Sequence, residues 1–134
     1  MNMHTLNPWA ILVATISAFV LGGLWYSPLL FEGAWKRANG FSSEKSPGPG
    51  AKVFLLSFLF TLVMAFNLAM FLNDPKTNLA WGATAGFLAG FGWAAMGLAI
   101  VSLFERRPWS YALINGGYLT FALVLMGAIL GAWR

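Results

Sequence analysis

The sequence contains no cysteine, one histidine and little charge, and each shortage restricts what the chain can do. Without cysteine, disulfides, thiolate metal sites and a cysteine nucleophile are excluded. His4 alone cannot form a multi-histidine metal site, and no neighbouring acid or nucleophile supports it as a general base. Only 9% of the residues are charged, against about a quarter in a soluble domain. We therefore expect no metal, no cofactor and no soluble fold.

The sequence instead contains long apolar runs with few charged residues. Hydrophobic residues make up 59% of the chain, its mean hydropathy is +0.71, and no Asp, Glu, Lys or Arg precedes Glu32. About 20 apolar residues in a helix cross a hydrocarbon core of roughly 30 Å. The runs therefore predict an all-α polytopic membrane protein, a compact bundle forming one transmembrane domain over 1–134. The predicted spans are 8–27, 53–73, 79–104 and 109–133.

The first run is expected to remain in the mature protein. No Lys or Arg precedes it, and it ends in bulky Leu24, Trp25 and Tyr26, whereas a removable signal has a basic start and a small-residue cleavage site. Asn7 is expected to cap this helix, with Pro8 at its first position.

Lys and Arg are distributed unevenly between the two ends of the predicted bundle. Six flank the first and third connections, and two lie at the opposite end. The positive-inside rule then places these connections in the cytoplasm and both termini outside. We assign the basic excess to orientation and to contact with anionic lipids, and not to nucleic-acid binding.

The first connection is predicted to contain a short helix over 29–41. Apolar and polar side chains fall on opposite faces there, and Glu32 and Lys36 are spaced as a favourable ion pair. Such a helix typically lies in the membrane interface. Residues 42–52, rich in Ser, Pro and Gly, are expected to form a flexible linker.

Small residues recur at every fourth position within each span, which lets helix backbones approach closely in lipid. Four such rows favour a tight bundle. The glycines predicted to pack helices together are Gly22, Gly82, Gly86, Gly90, Gly127 and Gly131.

Basic and aromatic residues concentrate at the predicted cytoplasmic end. They can hold a phospholipid head group or a partner subunit, and the alternative is an ordinary aromatic belt with positive-inside charges. Glu105 is expected to pair with Arg106, Arg107 or the interfacial helix, because an unpaired carboxylate is unfavourable there. The candidate lipid- or partner-binding residues are Trp25, Tyr26, Trp35, Lys36, Arg37, Glu105, Arg106, Arg107, Asn115 and Tyr118.

Two asparagines, Asn67 and Asn115, are the most polar side chains well inside the predicted spans. They indicate either a substrate or ion path, or interhelical hydrogen bonds worth about 1 kcal/mol. No acidic or basic residue lies in the middle of a span, so ion-coupled transport by a single copy is not expected.

Two segments of the chain also resemble each other, one beginning at Gly22 and the other at Gly90. This similarity indicates either a duplicated helix pair or the usual collection of tryptophan and acidic residues at a membrane interface.

Three motifs carry a further resemblance: Trp25-Tyr26-Ser27-Pro28, Phe104-Glu105-Arg106-Arg107 and Asn115-Gly116-Gly117-Tyr118. On these residues the chain resembles the small bacterial four-helix membrane proteins catalogued as a domain of unknown function. The resemblance implies the fold, four spans and a bacterial cytoplasmic membrane, and it brings no activity, substrate or cofactor.

The sequence favours a non-catalytic membrane protein that self-associates or serves as an accessory subunit of a larger complex. The expected partners are membrane lipids and further copies of the chain or other membrane subunits, without nucleic acid. A small transporter or pore formed by an oligomer is the alternative. An enzyme is not expected, because acid–base chemistry needs positioned titratable groups and the chain has few beyond Glu32 and Glu105.

Overall fold

The structure, a computed structural model, describes residues 6–26, 32–39 and 51–133. Six α-helices occupy this part of the chain, and the fourth and fifth are joined without a break by a π-helical segment, Gly90–Ala95. The α-helices are α1 (Pro8–Trp25), α2 (Glu32–Asn39), α3 (Ala51–Phe71), α4 (Leu79–Ala89), α5 (Met96–Phe104) and α6 (Trp109–Ala132).

Four helical stretches are long and apolar enough to cross a membrane: α1, α3, the continuous α4–α5 helix and α6. The predicted all-α fold with four such helices is confirmed. α3 begins at Ala51, two positions before the predicted start. The outer parts of the predicted interfacial helix, at 29–31 and 40–41, and most of the linker, at 42–50, lie outside the described residues.

Asparagine side chains cap the N-terminal ends of two of the spans. The Asn7 Oδ1 atom accepts hydrogen bonds from the backbone N–H groups of Trp9 and Ala10, at 3.0 and 3.2 Å. The Asn78 Oδ1 atom accepts one from Trp81 at 2.8 Å. Each side chain satisfies donors that a helix start leaves unpaired, so both helices begin at defined residues.

α6 is the central helix of the bundle. It makes its most extensive contacts with α4, and it also packs against α1, the π-helical segment, α5 and α2. α3 packs mainly on α1 and touches α6 over a shorter length. Because α3 lies at the periphery, much of its surface is exposed.

Glycines bring the backbones of α4 and α6 into direct contact. A Cβ atom added at Gly82 would collide with the Gly127 carbonyl oxygen, and one added at Gly86 would collide with the Leu123 carbonyl. A Cβ at Gly131 would collide with the Asn78 carbonyl. Van der Waals contact of this kind holds helices together in lipid, where burial of apolar surface gives little gain.

Alanines of α1 line much of its contact with α3 and α6. Ala10, Ala14 and Ala18 follow one face of α1 and are at most 1% exposed, as are Ala65 of α3 and Met126 of α6. The four-residue spacing of these alanines places them on one side of the helix. These short side chains pack together with larger buried ones, among them Ile11, Leu68 and Leu123, and fill the interior of the bundle.

Candidate lipid- or partner-binding site

The end of the bundle where α1 ends and α6 begins carries the basic motif residues, and we call it the basic end. Trp25, the last residue of α1, lies there against α6. Its indole Nε1–H donates to the Ile114 carbonyl oxygen at 2.9 Å. A Cβ at Gly117 would stand 3.0 Å from the indole ring, so the missing side chain at Gly117 lets the ring reach this carbonyl.

The reverse arrangement occurs one to two turns further into the bundle. The Tyr118 hydroxyl, from α6, donates to the Ala18 carbonyl of α1 at 3.0 Å. Its ring crosses α1 at Gly22, where a Cβ would lie 3.1 Å from the hydroxyl oxygen. Each helix thus contributes one aromatic donor and one glycine, and the two pairs fix α1 and α6 in register.

Tyr26 links these two helices to α2. Its hydroxyl donates to Asn115 Oδ1 at 2.6 Å, and its ring lies edge-on to Trp35 of α2 with centroids 5.7 Å apart. The ring of Tyr118 lies 5.6 Å from that of Tyr26. We call Trp25, Tyr26, Trp35, Asn115 and Tyr118 the aromatic–amide cluster.

Arg107 lies at the edge of this cluster through Tyr111. Its guanidinium carbon is 5.0 Å from the Tyr111 ring centroid, and Tyr111 precedes Asn115 by four residues on the same face of α6. A cation above a tyrosine ring is stabilised by about 0.5–1 kcal/mol at an exposed site. Arg107 therefore places a positive charge at the edge of the aromatic–amide cluster, on the side of the basic end.

Glu105 forms an ion pair with Arg107, with Nε and Oε1 at 3.8 Å. The two side chains are 53% and 38% exposed, and pairs of such exposure contribute about 0–1 kcal/mol. Arg37 is also exposed, and the Lys36 side chain lies outside the described part of the chain. The pair is thus too weak to fix the loop by itself.

Arg106 holds the turn between α5 and α6 in an unusual backbone conformation. Its φ is 58°, in the left-handed region that glycine normally occupies after a helix. The Arg106 and Arg107 N–H groups donate to Leu103 and Ser102 carbonyls, at 3.2 and 2.9 Å. This is the hydrogen-bond pattern of a Schellman turn, and it places two adjacent, exposed arginines at the end of the bundle.

The structure brings together five of the ten candidate residues in the aromatic–amide cluster, and Glu105 and Arg107 in the neighbouring ion pair. Arg106 is exposed on the turn and Arg37 on α2. Tyr111 was missed by the sequence reasoning. Its signal was the spacing on α6, where Tyr111, Asn115 and Tyr118 follow one face at intervals of four and three residues.

The predicted packing glycines lie between helices. Gly82, Gly86 and Gly127 stand at the crossing of α4 and α6, and Gly131 meets the Asn78 backbone. A Cβ at Gly90 would lie 2.7 Å from the Thr120 Cα atom.

The two motif tryptophans of the proposed duplication differ in environment. Trp25 is half-buried, while Trp93 is 73% exposed. The duplication stays a hypothesis.

A crevice of about 20 Å³ lies at the end of the bundle opposite the basic end, between Asn7, Asn73 and Trp133. Such a volume suits about one water molecule. Within the described ranges, no three His, Asp or Glu side chains come together as a metal site would require. What this part of the chain offers chemically is hydrogen-bonding, aromatic and cationic groups at its surface.

A family model described as "Protein of unknown function (DUF1761)" matches residues 9–131. No curated protein matches the chain, and no solved structure does. The match covers all four candidate spans except Pro8 and Ala132, together with the whole aromatic–amide cluster.

Proposed function

The chain belongs to the family of proteins of unknown function DUF1761, and we propose that it is a non-catalytic membrane protein that acts by binding other membrane components. Those components are further copies of the chain or the subunits of a larger complex, together with lipids. The family membership itself supplies no activity, so the proposal is argued from the helices.

The filled interior of the bundle is the observation that carries this proposal. α4 and α6 touch through their backbones at Gly82 and Gly127, and Ala14 and Ala18 of α1 are fully buried. A substrate path through one copy would need the space that these contacts occupy. Recognition by a single copy is therefore assigned to its surface.

The basic end is the part of this surface that suits an anionic lipid. Arg106 and Arg107 project from the turn before α6, and Arg37 is exposed on α2. Each basic group near an anionic membrane surface contributes about 1 kcal/mol of attraction, and aromatic side chains favour the same depth. We assign α2 to the interface and this end to the cytoplasmic side of a bacterial cytoplasmic membrane, with both chain termini outside.

A pore between several copies is the second candidate, and one observation favours it: Asn67 is exposed on α3. The same face also exposes Phe60 and Val63, which are 64% and 63% exposed. Bulky apolar side chains make a poor lining for a water-filled path. We therefore place the pore second.

Native mass spectrometry of the protein in mild detergent tests the proposal. We expect the parent to retain a second copy or another membrane protein, and to retain anionic lipid. Arg106→Gly should reduce the retained anionic lipid without loss of stability, because glycine suits the left-handed backbone at this position. Lys76→Gln, which removes a positive charge at the opposite end, is the matched control.

Equal loss of anionic lipid in Arg106→Gly and Lys76→Gln would remove the basic end as the lipid site. A parent that carries neither a second copy nor a partner protein, in detergent and in lipid nanodiscs, would contradict the proposed function.

Orientation is tested separately with an impermeant thiol reagent on intact cells, since the chain has no cysteine of its own. We expect labelling of Asn2→Cys and none of Ser46→Cys. The reverse pattern would overturn the assignment.

A further inference from the structure

Asn67 is a polar side chain on the exposed surface of α3. Among the described residues, no hydrogen bond joins its amide to another group. Thr61 and Thr84 differ, because each donates to the carbonyl four residues earlier in its own helix, at 2.7 and 2.8 Å. An amide without a partner is unfavourable in hydrocarbon, so Asn67 requires a partner from outside the described part of its own chain.

The position of Asn67 along α3 places it below the lipid head groups. The apolar stretch runs from Val53 to Leu72, about 20 residues, which match a hydrocarbon core of roughly 30 Å. Asn67 lies about 7.5 Å before the end of this stretch, at 1.5 Å of rise per residue. Lipid acyl chains surround that depth and offer no hydrogen-bonding group.

The side chains around Asn67 form one continuous face. At about 100° of rotation per residue, Phe60, Val63 and Phe71 fall within roughly 40° of Asn67. Their exposed fractions are 64%, 63% and 68%. Spacings of three and four residues are those of a seam between two helices. We call these four residues the Asn67 face.

The Asn67 face points away from the rest of the bundle. The buried residues of α3, Ala65, Leu68 and Ala69, fall about 100–160° from Asn67 on the same helical wheel. Within the described residues, α3 packs mainly against α1 and over a shorter length against α6, and its buried residues lie on the side away from Asn67. A helix from another molecule can therefore approach the Asn67 face without rearranging the bundle.

A second copy of this chain satisfies the requirement of Asn67 directly. A carboxamide carries both a donor and an acceptor, so two asparagines can bond reciprocally. Copies inserted in the same orientation are related by a two-fold axis along the membrane normal, and this axis places equivalent residues at equal depth. We propose that two copies of the chain pair through the Asn67 faces of their α3 helices, with reciprocal hydrogen bonds between the Asn67 amides.

This proposal rests on the self-association named in the proposed function, and it assigns the surface, the stoichiometry and the register. One polar residue within an apolar seam fixes the register of two helices, because a shifted pairing leaves both amides without partners. The α4–α5 helix and α6 do not take part in this proposed contact.

Disulfide cross-linking in native membranes tests whether the Asn67 faces of two copies meet. The chain has no cysteine, so each variant carries one thiol. Phe60→Cys and Val63→Cys should give cross-linked dimers on mild oxidation, since facing Cα atoms within about 7 Å can be bridged. Leu55→Cys is the control: Leu55 is 60% exposed but lies about 120° from Asn67 around the helix.

Energy transfer between labelled copies in lipid vesicles tests whether the Asn67 amide contributes to their association. Asn67→Leu should weaken association roughly 3- to 30-fold, the range expected for an interhelical hydrogen bond in lipid. Asn67→Gln keeps the amide and should retain most of the association. Thr84→Val, which removes an exposed hydroxyl on α4, should leave association unchanged. Thermal stability of the dissociated protein, measured at low concentration in detergent, should stay at the parent value in all three, because these side chains lie on the exposed surface of a single copy.

Equal cross-linking at positions 55, 60 and 63, or unchanged association of Asn67→Leu, would overturn the pairing while leaving the proposed function in place. Complexes of more than two copies in native mass spectrometry would also contradict it and would favour the pore. Loss of a different co-purifying protein in Asn67→Leu, without self-cross-linking, would assign this face to another subunit. A monomeric parent without any partner would contradict both proposals.

Discussion

Tyr118 of α6 lies across Gly22 of α1, with its ring and hydroxyl 3.1–3.3 Å from the place where a Cβ at position 22 would stand. The glycine leaves the Ala18 carbonyl accessible, and the tyrosine hydroxyl donates to it at 3.0 Å. Trp25 uses Gly117 in the same way from the opposite helix. Two aromatic donors and two glycines therefore define how α1 and α6 meet.

Gly22→Leu should destabilise the protein, because the new side chain displaces Tyr118 and breaks its hydrogen bond. Overpacking of this kind costs about 1–3 kcal/mol. Gly23→Leu is the matched control, since a Cβ at position 23 has no neighbour within 4 Å. Thermal unfolding in detergent gives the comparison, and equal melting temperatures for the two variants would remove Tyr118 as a constraint at Gly22.

Gly86→Leu should have a larger effect than Gly22→Leu. At Gly86 the added atoms meet the backbone of Leu123, and a backbone cannot rotate away as a tyrosine ring can. α4 and α6 must then separate along their contact. Gly97→Leu on α5, where a Cβ has open space, should melt near the parent temperature. A parent-like melting curve for Gly86→Leu would contradict the glycine contact between the two helices.

Tyr26→Phe should cost about 0.5–1.5 kcal/mol, the net value of a typical hydrogen bond. The variant leaves the Asn115 oxygen without the donor that the structure gives it. A double-mutant cycle with Asn115→Ala isolates this contact from other effects of each change. We expect a coupling free energy of similar size, measured from thermal unfolding. Additive effects would show that the two side chains act independently.

Glu105→Gln should change stability by less than about 1 kcal/mol, because its ion pair with Arg107 is exposed and screened. The same variant is then informative about binding. Loss of a retained partner or lipid at unchanged melting temperature would assign Glu105 to the binding surface. A large loss of stability would instead show that Glu105 holds the loop in place and that its ion pair with Arg107 is stronger than expected.

Local signals in the sequence were enough to predict the helices themselves. Asn7 and Asn78 begin helices through their own side chains, and the apolar lengths set the number of candidate spans. The aromatic–amide cluster was accessible in part, because four of its members fall near the ends of two spans and Trp35 lies on the short helix α2. Tyr111 was missed although Arg107, which lies over its ring, precedes it by only four residues. Its place at the edge of the cluster depends on how α1 packs against α6.

Residue type and position along one segment were enough to predict the helical class, the candidate spans and the concentration of basic residues at one end. The central place of α6, the contact of Gly22 with Tyr118 and the outward position of Asn67 emerge only when whole helices pack together. The cause is the solvent. In water, polarity marks the outer face of a helix, but in lipid both the packed and the exposed faces are apolar. Only the fit between whole helices then selects which side is buried.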